Sequence, residues 1–224
     1  MMTFDVHFSD VQFLLRDLEG LPKECRGAMW QAVKRSLTTL RRELAKNIAE
    51  ESYLQKSRIT KAITPVEMYG SKTAGGSKTT DTSHIMGWIR VSSRQLPLDA
   101  FKLIPNRPTF PKGKSRSDKG LSGYKIGPKQ PVRCREKTAG RSAGFVIRGG
   151  KSGKLRFMVE VLGKRHRVDG KVRPELARVP GYSVQYFAFF DSVYQDIEKQ
   201  AKRRFIDVLN HEIQFRLDRI GKGK

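Results

Sequence analysis

The chain has 224 residues with 45 Lys and Arg against 22 Asp and Glu, a formal net charge of +23, and 38 % apolar residues. That length fits one large domain or two small ones, and the apolar content supports a core. No stretch approaches the roughly 20 apolar residues of a membrane span, and residues 1–13 have no basic segment of a signal peptide, so the expectation is a soluble protein, intracellular when made.

Residues 4–8 alternate apolar and polar, and Val11, Leu14, Leu15 and Leu18 then take helical spacing. A short strand or arm followed by a helix is expected before the break at Leu21-Pro22. The clearest periodicity comes next. Trp30, Val33, Leu37, Leu40, Leu44 and Ile48 form one apolar stripe with charged residues opposite, predicting a long amphipathic helix over about 22–51. A short helix over 58–63 is expected to follow, with Ser57 as its cap and Pro65 beyond it.

Residues 70–83 are rich in Gly, Ser and Thr and read as a flexible loop. A strand is expected over 85–91, then a long basic loop or hairpin arm over 105–131. Three further strands fit 132–135, 144–148 and 155–162, the last two joined as a hairpin through the glycines at 149–153. An aromatic-rich stretch over 181–190 precedes a second long helix, about 192–220, with Ser192 as its cap and Val193, Ile197, Ala201, Phe205, Val208 or Leu209, and Ile213 on one face. The predicted fold is α+β: a small, mostly antiparallel sheet packed against long N-terminal and C-terminal amphipathic helices, with extended basic loops. It is read as one domain over 1–224, comprising an arm or helix (1–21), a helical segment (22–63), a β-rich basic core (85–190) and the C-terminal helix (192–220).

Charge is concentrated in the middle. Residues 102–173 hold 21 basic and 4 acidic side chains, a net +17, while the flanks are close to balanced. Such self-repulsion calls for an anionic partner. Lys112, Lys114, Arg116 and Lys119 form one cluster; Arg133, Arg135, Lys137 and Arg141 a second; Lys164, Arg165, Arg167, Lys171 and Arg173 a third. Each phosphate neutralised by such side chains releases a counterion, so the clusters suit DNA without base readout. A basic face against acidic neighbours in an assembly fits the residues equally well.

Catalytic patterns are poor. Gly113-Lys114-Ser115 and Gly150-Lys151-Ser152 resemble the end of a phosphate-binding loop, but Pro108 and Phe145 occupy the position where its earlier glycine belongs. His7, His84, His166 and His211 show no metal-ligand spacing, and Cys25 and Cys134 read as two reduced thiols. The expectation is no enzyme, no metal and no cofactor.

The order of segments resembles the phage minor tail protein Z family, the lambda-like tail completion proteins. The matching pieces are Ala32-Val33-Lys34-Arg35-Ser36-Leu37 through Arg41-Arg42-Glu43-Leu44-Ala45, running to Tyr53-Leu54 and Ile59-Thr60-Lys61-Ala62-Ile63; Ile89-Arg90-Val91-Ser92-Ser93-Arg94 with Leu96-Pro97-Leu98 and Phe101; Gly144-Phe145-Val146 before a hairpin; the Pro-Gly-Tyr-Ser-Val stretch over 180–184; and Arg204-Phe205 with His211-Glu212-Ile213. The resemblance covers about residues 27–217. It implies a structural, non-catalytic component of the virion tail, assembled in the host cytoplasm. Such a component would act at the head-proximal end of the tail in tail assembly, head–tail joining and DNA positioning. Its implied partners are the tail terminator and tube proteins, the head–tail connector, the phage DNA end and further copies of itself, with no membrane. The alternative is a free-standing, sequence-nonspecific nucleic-acid-binding protein.

Overall fold

In the computed structural model, the described residues are 2–7, 22–69, 84–109, 122–149, 153–168 and 170–222. The expected helix near 11–18, the loop at 70–83 and both Gly-Lys-Ser triplets lie outside them. Helices and small antiparallel sheets are both present, so the fold is α+β, with the long helices in the N- and C-terminal regions. The chain divides into two compact units: residues 1–47, 60–92 and 188–224, and residues 48–59 and 93–187.

The first unit is built on helix α1 (Pro22–Glu51), which coincides with the predicted span. Proline at the first helical position has no N–H to leave unsatisfied, Glu24 suits the positive helix end, and Ala, Leu, Arg, Lys and Glu favour the interior. Val33, Leu37, Leu40 and Leu44 are buried as expected, whereas Trp30 is only half-buried and Ala28, Met29, Ala32 and Ser36 are buried as well. The apolar arc is wider than one stripe because the helix is covered on two sides.

One cover is α4 (Asp191–Lys222), which starts one residue earlier than predicted. It runs antiparallel to α1: Arg216 donates to Glu24 at 2.6 Å, Arg204 meets Glu43 at 3.5 Å and Asn47 donates to Asp196 at 2.9 Å. Val193, Ile197, Phe205, Leu209 and Ile213 are buried, and so is Glu212, which pairs with Arg35 and Arg216.

The other cover is a three-stranded sheet of β1 (Met2–His7), β2 (Glu67–Tyr69) and β3 (His84–Ile89), ordered β1-β3-β2. Gly87 allows its close approach, since a Cβ there would stand 2.3 Å from Leu37 Cδ1. The short helix α2 is Lys56–Ala62. Ser57 therefore lies inside its first turn, and the Gln55 carbonyl accepts the N–H groups of Arg58 and Ile59.

The second unit holds three more sheets, so the described strands are spread over four small sheets. β4 (Gln95–Pro97) pairs with β11 (Pro180–Ser183). β5 (Lys102–Ile104), β6 (Gly123–Lys125) and β7 (Arg133–Cys134) form a meander. β8 (Phe145–Gly149), β9 (Lys154–Val168) and β10 (Lys171–Arg178) form the third, in the order β10-β9-β8. The predicted hairpin of β8 and β9 is present, but β9 continues six residues past its predicted end at Leu162, and β10 was not predicted. The core is aromatic. Phe157 and Phe187 are fully buried, Tyr124 meets Phe157 edge-on, and Phe101 stacks near both Tyr182 and Phe187, the last being part of helix α3 (Val184–Ala188).

Leu44 is fully buried in the first unit. Leu44→Ala should lower unfolding stability by about 2–5 kcal/mol, measured by urea denaturation. An unchanged midpoint would remove α1 from the core.

Candidate nucleic-acid interface

The structure treats the three basic clusters differently. Lys112, Lys114, Arg116 and Lys119 lie outside the described residues, but the base of their segment is defined. Ile104 pairs with Gly123, and the Thr109 and Ser122 hydroxyls are 2.6 Å apart, so the two ends are held together. The Thr109 hydroxyl also accepts the Val146 N–H, and the Thr109 N–H donates to the Val146 carbonyl, both at 2.9 Å, which ties this base to β8.

Arg133 and Arg135 are half-buried. The Arg133 guanidinium sits 5.4 Å over the Tyr182 ring and donates to the Tyr182 hydroxyl. A guanidinium so placed gains both cation–π attraction and a hydrogen bond, and has fewer free donors for a phosphate. The side chain of Tyr124 lies in the same cluster. Burial, then the neighbouring Tyr182 phenol and the hydrogen bond to it, raise the Tyr124 pKa above the ordinary tyrosine value, with Arg133 and Arg135 pulling the other way. The remainder of the second cluster, Lys137 and Arg141, is exposed.

The third cluster is brought together most fully. All five side chains, Lys164, Arg165, Arg167, Lys171 and Arg173, are exposed on the outer part of the β9–β10 hairpin. These residues fall on a paired ribbon, where the sequence placed them beyond a strand ending at Leu162. The inner part of β9 is sheet core. Phe157, Met158, Val159 and Glu160 are buried, β8 covers one edge as far as Met158, and the 140–142 segment then takes over. Ser142 donates its N–H to the Glu160 carbonyl, Glu160 donates to the Ser142 hydroxyl and Leu162 donates to the Gly140 carbonyl.

Beyond Leu162 the hairpin stands on two strands among the described residues. The register slips between Pro174 and Glu175, whose partners are Arg165 and Val161, so three residues of β9 bulge out. Gly163 sits in this bulge at φ 80°, a left-handed backbone that glycine adopts without strain. The outer register pairs Arg165 with Pro174, Val172 with Arg167, Arg173 with His166 and Lys171 with Val168. Directly opposed residues share a face of an antiparallel pair. Arg165 and Arg167 therefore project from one face, and Lys171 and Arg173 from the other. Val172 is 60 % exposed, which shows that the first of these faces does not pack on the body of the unit. At the inner end of β10, Arg178 donates to Asp99 at 3.1 Å and anchors the hairpin.

Sequence reasoning missed the ribbon although a signal was present. Asp169-Gly170 between two strand-like runs is a strong two-residue hairpin turn, and Gly170 has φ 73° as such a turn requires. It also passed over Arg148, Lys154 and Arg156 at the other end of β9, beside the β8–β9 turn.

Among the described residues no three His, Cys, Asp or Glu side chains come together to hold a metal, and no helix is long and apolar enough to cross a membrane. The Cys134 thiol is free and exposed. Comparison with protein-family models, with curated proteins and with solved structures finds no match.

A raised folded-state pKa for Tyr124 means that the unfolded chain loses this proton first. Its contribution to stability is complete below the ordinary tyrosine pKa of about 10 and is lost as the pH rises through the folded value. Tyr124→Phe, which keeps the ring contact with Phe157, should make the melting temperature fall less steeply above that pH. Equal alkaline slopes for variant and wild type would contradict the placement of this phenol.

Proposed function

We propose that the chain is a structural component of a phage or prophage tail, a minor tail protein of the tail completion type. It acts at the head-proximal end of the tail, in tail assembly, head–tail joining and positioning of the DNA end. Supporting this are the shared order of segments along residues 27–217, the α+β fold with a long helix in each terminal region, and an exposed basic hairpin. The observation that carries the reading is the hairpin. Its outer strands have five cations and no carboxylate among their described residues, and both faces lie open to an anionic partner.

That same hairpin also favours a second reading, a free-standing nucleic-acid-binding protein without sequence preference. The two differ in where the protein resides. As a tail component it should copurify with tails or virions, and deleting its gene should leave particles that assemble but do not infect. A protein recovered only on host DNA, with particle infectivity unchanged by the deletion, would reject the tail reading in favour of the second.

A further inference from the structure

We infer that the outer β9–β10 ribbon is a groove-inserting arm that binds duplex DNA through phosphates on both sides of it, without reading sequence. This deepens the proposed function, resting on it only for where the DNA is met. The first observation is the distribution of charge over the ribbon. Arg165 and Arg167 project from one face, Lys171 and Arg173 from the other, and Lys164 lies in the bulge after Gly163. A flat anionic surface, such as the acidic side of a neighbouring protein, can meet one face of a ribbon and leaves the other in water. A groove with anionic walls meets both.

Size is the second observation. The major groove of B-DNA is about 12 Å wide and admits a two-stranded β-ribbon. The outer part of β9, residues 164–168, extends about 17 Å at the usual rise per residue, with no third strand against it among the described residues. Its neighbour along β9, Leu162, is the last whose N–H is bonded to a described segment other than β10, so among the described residues the ribbon is two-stranded where the cations begin.

Composition is the third. The outer strands hold Lys, Arg, His, Val and Pro, without the Asn or Gln that read adenine, and Arg165 and Arg167 stand two positions apart on one face. Contacts of this kind position a protein on the duplex but carry no sequence information. Of the remaining exposed cations of the second cluster, Lys137 precedes the 138–141 turn and Arg141 closes it, and neither is part of the ribbon.

The test measures binding of the purified full chain to a labelled 30-base-pair duplex of mixed sequence over about 50–200 mM salt. Each phosphate contact adds about 0.9 to the slope of log affinity against log salt. Neutralising one face with Arg165→Gln and Arg167→Gln should lower that slope by about 1.8, and Lys171→Gln with Arg173→Gln on the other face by the same amount. Lys137→Gln with Arg141→Gln should leave it unchanged, as should a change of duplex sequence. All six residues are exposed, so thermal melting should be unaffected in every variant. The inference is overturned if one face can be neutralised without changing the slope, or if the Lys137 and Arg141 pair lowers it as much as a ribbon face does. It is equally overturned if the chain ignores duplex DNA while binding polyglutamate through the ribbon, which would make an acidic polypeptide the partner. Failure here leaves the tail reading standing, because particle copurification does not depend on it.

Discussion

Like charges crowded onto a narrow support repel one another, and the ribbon of β9 and β10 is shaped by that constraint. No described cation on its outer part is paired across the strands with another lysine or arginine: Arg165 faces Pro174, Arg167 faces Val172, Arg173 faces His166 and Lys171 is in register with Val168. A register slip in this segment would bring like charges opposite one another and destabilise the pairing. The Gly163 bulge and the left-handed Gly170 keep the outer register in place. An isolated two-stranded hairpin is marginal in water. This one is continuous with a strand whose Phe157, Met158, Val159 and Glu160 are buried, and its return strand is fastened by Arg178 to Asp99.

Carboxylates are distributed to the same end. In the first unit several are paired close to home, Glu24 and Glu212 on Arg216, Glu212 also on Arg35, Glu43 on Arg204 and Glu67 on Arg90. The exposed pairs among these add little to stability, but they cancel the long-range field of the helical faces. In the second unit Arg133 is turned onto Tyr182 and Arg178 onto Asp99, while the ribbon keeps its cations exposed. Cations crowded on one exposed ribbon give it a strong local positive field that attracts a polyanion.

How much of this was legible depends on whether the signal was local. The stripe from Val33 to Ile48 marked α1 to the residue at both ends, since a proline start and 3.6-residue periodicity are read within a few turns. The second burial face of α1, through Ala28, Met29 and Ala32, was not legible, because the predicted stripe residues Leu37 and Val33 already meet the sheet at Gly87 and the other cover, α4, comes from residues far along the chain. The short strands β5 and β6 have three residues each and are paired over a gap of eighteen, too brief for alternation to register. β10 was obscured differently: Lys171, Val172 and Arg173 are exposed on both faces, so no apolar alternation marks the strand. The basic clusters were visible from composition, but their separate environments were not. Nothing in the spacing of Arg133 and Arg135 announces that Tyr182, far along the chain, will take up the first guanidinium.

The ribbon is the surface proposed to meet duplex DNA in its major groove. Photocrosslinking of the full chain to duplex substituted with 5-bromouracil tests this most directly, because the bromine stands in the major groove where the thymine methyl would be. Peptides spanning residues 164–173 should carry the crosslinked base. Crosslinks confined to the helical faces of α1 and α4, or to the 133–141 segment, would contradict it.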